Sequence, residues 1–240
     1  MIIASLHKLT KTYGEPGSPV MVCALRGIDI EFVEGEAVAI CGQSGSGKST
    51  LMNLIGCLDR PTTGRYFLGG TDISQLSDDE LSEIRGRSVG FVFQNFNLIA
   101  QLTVLENLEV PLFYQGLSPA TRRQKSAEAV EMVGLTDRAH HRPAELSGGQ
   151  QQRAAIARAL ITDPLIILAD EPTGNLDTTT GELILDLFDD LRDRGKTVVM
   201  VTHEQHVAQR CDRIITLTDG LVVTDVRTER GSKTAAASLS

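Results

Sequence analysis

Apolar positions along the chain fall into two rhythms. Short apolar or alternating runs predict strands at Ile2 to Leu9, Ile28 to Val33, Ala37 to Cys41, Val89 to Phe93, Leu165 to Ala169 and Thr197 to Val201. Between them the pattern turns helical, and local signals mark the ends. An amphipathic helix from about Lys48 to Leu58 follows the third strand through a Gly/Ser loop. Ser77-Asp-Asp-Glu80 and Thr103-Val-Leu-Glu106 have capping-box spacing. They open helices that reach Arg87 and that end before Gly116. Pro119 suits the first turn of another helix, which stops at Gly134. Later helices end at Leu160 and run from about Thr179 to Arg194. A short helix and two strands then finish near Val226. Buried strands alternating with helices imply a parallel α/β sheet, here with a helical stretch inserted over residues 95–150. The pattern gives one domain over residues 1–228 and a flexible tail, 229–240, rich in Ser, Ala and Thr. A turn-rich stretch, Gly14-Glu-Pro-Gly-Ser-Pro19, separates the first two strands.

Composition narrows the picture modestly. Apolar content of 41% and charged content of 22% are those of an ordinary soluble domain. The 31 acidic against 23 basic residues give a net charge of −8, which argues against nucleic acid as a main partner. No apolar run comes near the roughly 20 residues that span a bilayer. Met1 to Lys11 lacks the parts of a signal peptide. Cys23, Cys41, Cys57 and Cys211 are scattered without a CxxC pair, as expected of reduced thiols in a cytoplasmic protein.

The candidate chemistry begins where the strand ending at Cys41 meets its helix. Gly42-Gln-Ser44-Gly45-Ser46-Gly47-Lys48-Ser49-Thr50 fits the phosphate-binding Walker A pattern, with a strand before and a helix after. Its glycines let backbone N–H groups turn toward phosphate oxygens, and the helix N-terminus adds its positive dipole end. Lys48 suits the β- and γ-phosphates of ATP, and the Ser49 hydroxyl suits Mg²⁺. Asp170 and Glu171 end a buried strand on the side where α/β proteins bind ligands. Strand alternation puts their side chains on opposite faces, one for a metal and one for an attacking water. Ser147 caps a third element, the helix after Leu146-Ser-Gly148-Gly149-Gln150, whose glycines let amides approach an anion. His203 and His206 stand three apart with no third metal ligand beside them. The Arg122-Arg123-Gln-Lys125 run reads as the wet face of a helix.

Leu146 to Gln150 matches the ABC signature sequence letter for letter, and the chain resembles an ABC nucleotide-binding domain from about Ile2 to Val226. By this resemblance Tyr13 stacks on adenine, Gln94 is the Q-loop glutamine that reaches Mg²⁺ and the membrane partner, Asp177 closes the D-loop, and His203 is the switch histidine. The resemblance implies a P-loop NTPase (RecA-like) core with a small antiparallel β subdomain and an inserted α-helical subdomain. It also implies a composite site. Lys48, Gln94, Asp170, Glu171 and His203 of one copy face Ser147 to Gln150 of a second across ATP. The stretches Gly90 to Leu98, Leu102 to Asn107 and Leu168 to Asp177 are similar to the branch of macrolide exporters, lipoprotein-releasing ATPases and the cell-division ATPase FtsE. That branch implies an integral membrane permease as partner, and through it an extracytoplasmic or periplasmic one. The ATPase would sit on the cytoplasmic face of the membrane. Signalling to cell-wall enzymes without transport is the alternative. A soluble ABC protein of DNA repair or translation is disfavoured by the single cassette and the compact gap from Gln94 to Leu146.

Overall fold

The computed structural model describes residues 1–14 and 20–232. Most of the turn-rich stretch and the last eight residues of the expected tail lie outside them.

Two sheets form the core. In the smaller, β1 (Ile2–Tyr13) pairs antiparallel with β2 (Val22–Val33) and with β4 (Thr63–Leu68), and β5 (Thr71–Asp72) completes the order β2-β1-β4-β5. The larger sheet contains β3 (Ala37–Cys41), β6 (Val89–Phe93), β7 (Ile166–Asp170), β8 (Val198–Val201), β9 (Arg213–Thr218) and β10 (Leu221–Arg227). Its order is β10-β9-β3-β8-β7-β6, parallel throughout except for β10. The helices are α1 (Lys48–Ile55), α2 (Asp78–Ser88), α3 (Val104–Tyr114), α4 (Pro119–Met132), α5 (Gly148–Leu160), α6 (Thr178–Asp193) and α7 (Gln205–Arg210).

The period of two in β7 assigns its residues to two cores. Ile166 and Leu168 pack with Leu6, Leu9, Leu51 and Ile55 between the sheets. Ile167 and Ala169 pack on the opposite face with Ile184, Phe188 and Val207. A third core binds the inserted helices through Val104, Leu108, Leu112 and Val130. The small side chains of α5 serve two of these cores. Ile156 and Ala159 belong to the sheet side, whereas Ala154 and Ala157 belong to the helical unit.

Several boundaries differ from the sequence pattern. α1 stops at Ile55, short of Leu58, because Gly56 caps it and Cys57 turns to a φ of 54°. β1 extends to Tyr13 and β2 begins at Val22. β4 and β5 lacked a sequence signal, since the first three residues of β4 are exposed. Residues 229–232, placed in the flexible tail, form a helical turn instead. Arg230 holds it there, pairing with Asp189 at 2.6 Å and donating to the Arg210 carbonyl at 3.0 Å.

Candidate nucleotide site

A cavity of about 720 Å³ opens at the C-terminal edge of the larger sheet. Parallel strands with helices behind them leave ligand space at this edge. Residues 42–45 and 47–50 line one wall, while Asp170, Glu171 and His203 line the other. Gly45 and Gly47 take φ values of 80° and 103°, the left-handed turn that brings the loop round to α1. Lys48 Nζ donates to the carbonyls of Gly42 and Gln43, at 2.8 and 2.9 Å, so the ammonium stands over the loop mouth. Ser49 and Thr50 follow it in the first turn of α1. Ser46 is placed differently: it is 4% exposed, does not line the cavity, and its carbonyl accepts from Gly220. Its contribution to the loop is packing and backbone.

The two carboxylates are not separated as strand alternation predicted. β7 ends at Asp170, and Glu171 lies beyond it with a φ of 42°, a conformation that non-glycine residues seldom adopt. The turn swings Glu171 round to the same cavity as Asp170. Burial pushes the Asp170 carboxyl above its usual range, and the neighbouring Glu171 pushes it further; Lys48 partly offsets both. Glu171 Oε1 lies 2.8 Å from His203 Nδ1. A carboxylate oxygen accepts, so the pairing suits the tautomer in which Nδ1 donates and Nε2 is the ring's other nitrogen.

Other expected residues do not line the cavity. Gln94 follows β6, whose last residue, Phe93, is in register with Asp170. Tyr13 lies on β1 opposite Val22, which does line the cavity. Its hydroxyl donates to Asp59 at 2.8 Å, and Lys11 Nζ stands 4.8 Å from its ring centre. Asp177 caps α6 by accepting from the Thr180 amide at 3.0 Å. Ser147 and Gln150 form a reciprocal capping box at the start of α5. The structure does not bring Ser147, Gly148, Gly149 and Gln150 to the cavity of their own chain. Gly149 also has a reason for being glycine besides anion approach. A Cβ there would meet the Thr180 methyl at 2.4 Å, so any side chain would force Thr180 or the packing of α5 on α6 to shift.

Sequence reasoning missed the far end of the cavity. Arg26, Asp219 and Gly220 line it beside Val22 and Ala24. The signal was the Asp219-Gly220 dipeptide between two strands, a hairpin turn with both residues at positive φ.

A model of the ABC transporter family matches residues 25–174, which hold the phosphate loop, Asp170, Glu171 and the Leu146 to Gln150 sequence. This chain belongs to the ABC transporter family. It is similar to an ABC transporter ATP-binding protein of Thermotoga maritima, 54% identical over 203 residues, covering 85% of this chain and 87% of that one. The ABC transporter ATP-binding protein YvrO of Bacillus subtilis is 50% identical, covering 93% and 96%. The macrolide export ATP-binding/permease protein MacB of Hyphomonas neptunium is 47% identical over 98% of this chain, which spans only 36% of that longer protein. Among solved structures, the ATP-binding cassette MJ0796, dimeric and bound to ADP and Pi, superposes with a TM-score of 0.83. That cassette is 48% identical, covering 93% of this chain and 98% of its own.

The ABC chain therefore has the expected P-loop NTPase architecture, and it is an ABC transporter ATP-binding subunit. Its candidate cation donors suit the ion that accompanies ATP. Ser49, Asp170 and Gln94 offer only oxygen atoms of the hard type that Mg²⁺ selects. The crowding of Asp170 against Glu171 is an excess of negative charge that a cation would relieve. No helix among the described residues is long and apolar enough to cross a membrane.

Proposed function

We propose that this ABC chain hydrolyses ATP with Mg²⁺ and drives a separate membrane permease of the macrolide-export or lipoprotein-release type. The observation that carries the reading is the convergence of Lys48, Asp170, Glu171 and His203 on one cavity, with Glu171 and His203 in hydrogen-bond contact. Phosphoryl transfer asks mainly for positioning and charge stabilisation. Lys48 and the amides of the loop hold the triphosphate, and Tyr13 takes the base. Ser49, Asp170 and Gln94 would hold Mg²⁺, which neutralises charge on the β- and γ-phosphates when bound. Glu171 accepts the proton of the attacking water. His203, oriented through Nδ1 by Glu171, presents Nε2 to the γ-phosphate.

The site is completed by a second copy. Ser147 is exposed to solvent at the start of α5 and does not line its own cavity, which supports its serving a partner's ATP. The dimeric state of the MJ0796 cassette supports this arrangement. ATP binding closes the dimer, and loss of the γ-phosphate releases it. The motion passes to the permease through Gln94 and the inserted helices, where Ile99, Phe113 and Tyr114 present an exposed apolar surface. The subunit then works at the cytoplasmic face of the membrane, held there by the permease, which reaches any extracytoplasmic partner.

Purified alone, the protein is expected to hydrolyse ATP slowly, with no response to DNA or RNA. Supplying its permease in detergent or lipid should change the rate of phosphate release. Strong stimulation by nucleic acid would overturn the transporter reading in favour of a repair or translation ATPase. A co-purifying membrane partner that moves no substrate would favour transmembrane signalling.

A further inference from the structure

Three amide side chains from distant parts of the chain meet beside the end of β7. Gln94 and Asn95 follow β6, and Asn175 lies between β7 and α6. Asn175 Nδ2 donates to the Gln94 backbone oxygen at 3.0 Å and to Asn95 Oδ1 at 2.8 Å. Gln94 Nε2 in turn donates to Asn175 Oδ1 at 3.3 Å. An Asn or Gln amide has a donor end and an acceptor end, and its partners decide which end faces where. Here the ordering starts from a group with no choice, because the Gln94 backbone carbonyl can only accept. Asn175 must turn its NH₂ to that carbonyl, which leaves its own oxygen facing the Gln94 side chain. Gln94 must answer with its NH₂. The end of Gln94 that remains is the carbonyl oxygen, Oε1. Gly174 leaves the space for this, since a Cβ there would come within 2.6 Å of Gln94 Nε2.

We propose that Asn175 is a positioning residue that fixes the Gln94 amide with Oε1, not NH₂, available to the divalent cation of the ATP site. The inference rests on the reading of Gln94 as a cation ligand. Mg²⁺ and Mn²⁺ take oxygen donors, and an amide turned the other way presents no ligand. Outer-sphere partners of this kind are typically worth about 10- to 100-fold in metal affinity, and an uncharged, exposed one belongs at the lower end.

The test uses Asn175→Ala and Gln94→Ala, alone and together, in the full chain. Asn175 is exposed on a loop, so its truncation removes no core contact. The first measurement is backbone hydrogen exchange over residues 94–98 without nucleotide, which N175A should speed. The second is Mn²⁺ affinity of the protein loaded with a non-hydrolysable ATP analogue. N175A should weaken it about tenfold, and Q94A with or without N175A should weaken it at least as much and equally. Unchanged exchange in N175A, or an unchanged Mn²⁺ affinity when Q94A weakens it, overturns the role given to Asn175. Faster exchange in N175A combined with no effect of Q94A on Mn²⁺ overturns instead the reading of Gln94 as a ligand, and the inference with it. Additive losses in the double variant would show two independent contributions and also overturn it.

Discussion

Glu171→Gln is expected to bind ATP normally and to lose most of its hydrolysis, by about 10²- to 10⁴-fold, the usual worth of a positioned general base. The substitution keeps the size of the side chain and an oxygen that can still accept from His203 Nδ1. It removes the capacity to take a proton. Because the γ-phosphate then persists, the ATP-bound dimer should accumulate and be visible by light scattering or gel filtration. The raised Asp170 carboxyl bears on the control. Removing the charge at position 171 takes away one cause of that rise, so cation binding should survive in the variant. Turnover close to normal, followed by phosphate release, would remove Glu171 from its role.

Lys48→Ala and Ser147→Arg should each abolish ATP trapping as homodimers and restore it when mixed. In a homodimer of either variant both sites are damaged. In a mixed dimer built head to tail, one site carries both lesions and the other carries neither. Trapping of ATP at one site per mixed dimer is therefore the expected result. The exposed Ser147 caps α5 without entering its own cavity, which is why the rescue should work in trans. Verified mixed dimers that trap no ATP would place the Leu146 to Gln150 sequence in the service of its own chain.

What was legible in the sequence was what depends on neighbours along the chain. Capping boxes at Ser77 and Thr103 appear as expected, because their hydrogen bonds close within four residues. The phosphate loop was readable for the same reason: strand, turn and helix are contiguous. β1 and β2 were underestimated because their alternation slips. The ladder shifts register between Leu6 and Leu9, around a left-handed Lys8, and again further along the strand. The opposed faces expected for Asp170 and Glu171 failed at a single dihedral angle, which no periodicity encodes. Asn175 was legible only as part of the D-loop stretch; its contacts with Gln94 and Asn95 carried no signal, since those partners stand 81 and 80 residues away and meet it through the pairing of β6 with β7. Gly149 was read as a binding feature, and its close contact with Thr180 adds a packing reason that the sequence did not show.

The two-sided α5 has a thermodynamic consequence. Its Ala154 and Ala157 lie in the helical core and its Ile156 and Ala159 in the sheet core, so neither unit can open without stripping a face of the other. Melting of the inserted helices should therefore coincide with melting of the α/β core in one cooperative transition. Far-ultraviolet circular dichroism and a fluorescent label on α4 should report the same midpoint. A label that melts first would mean that the helical unit is a separate folding block merely resting on the sheet.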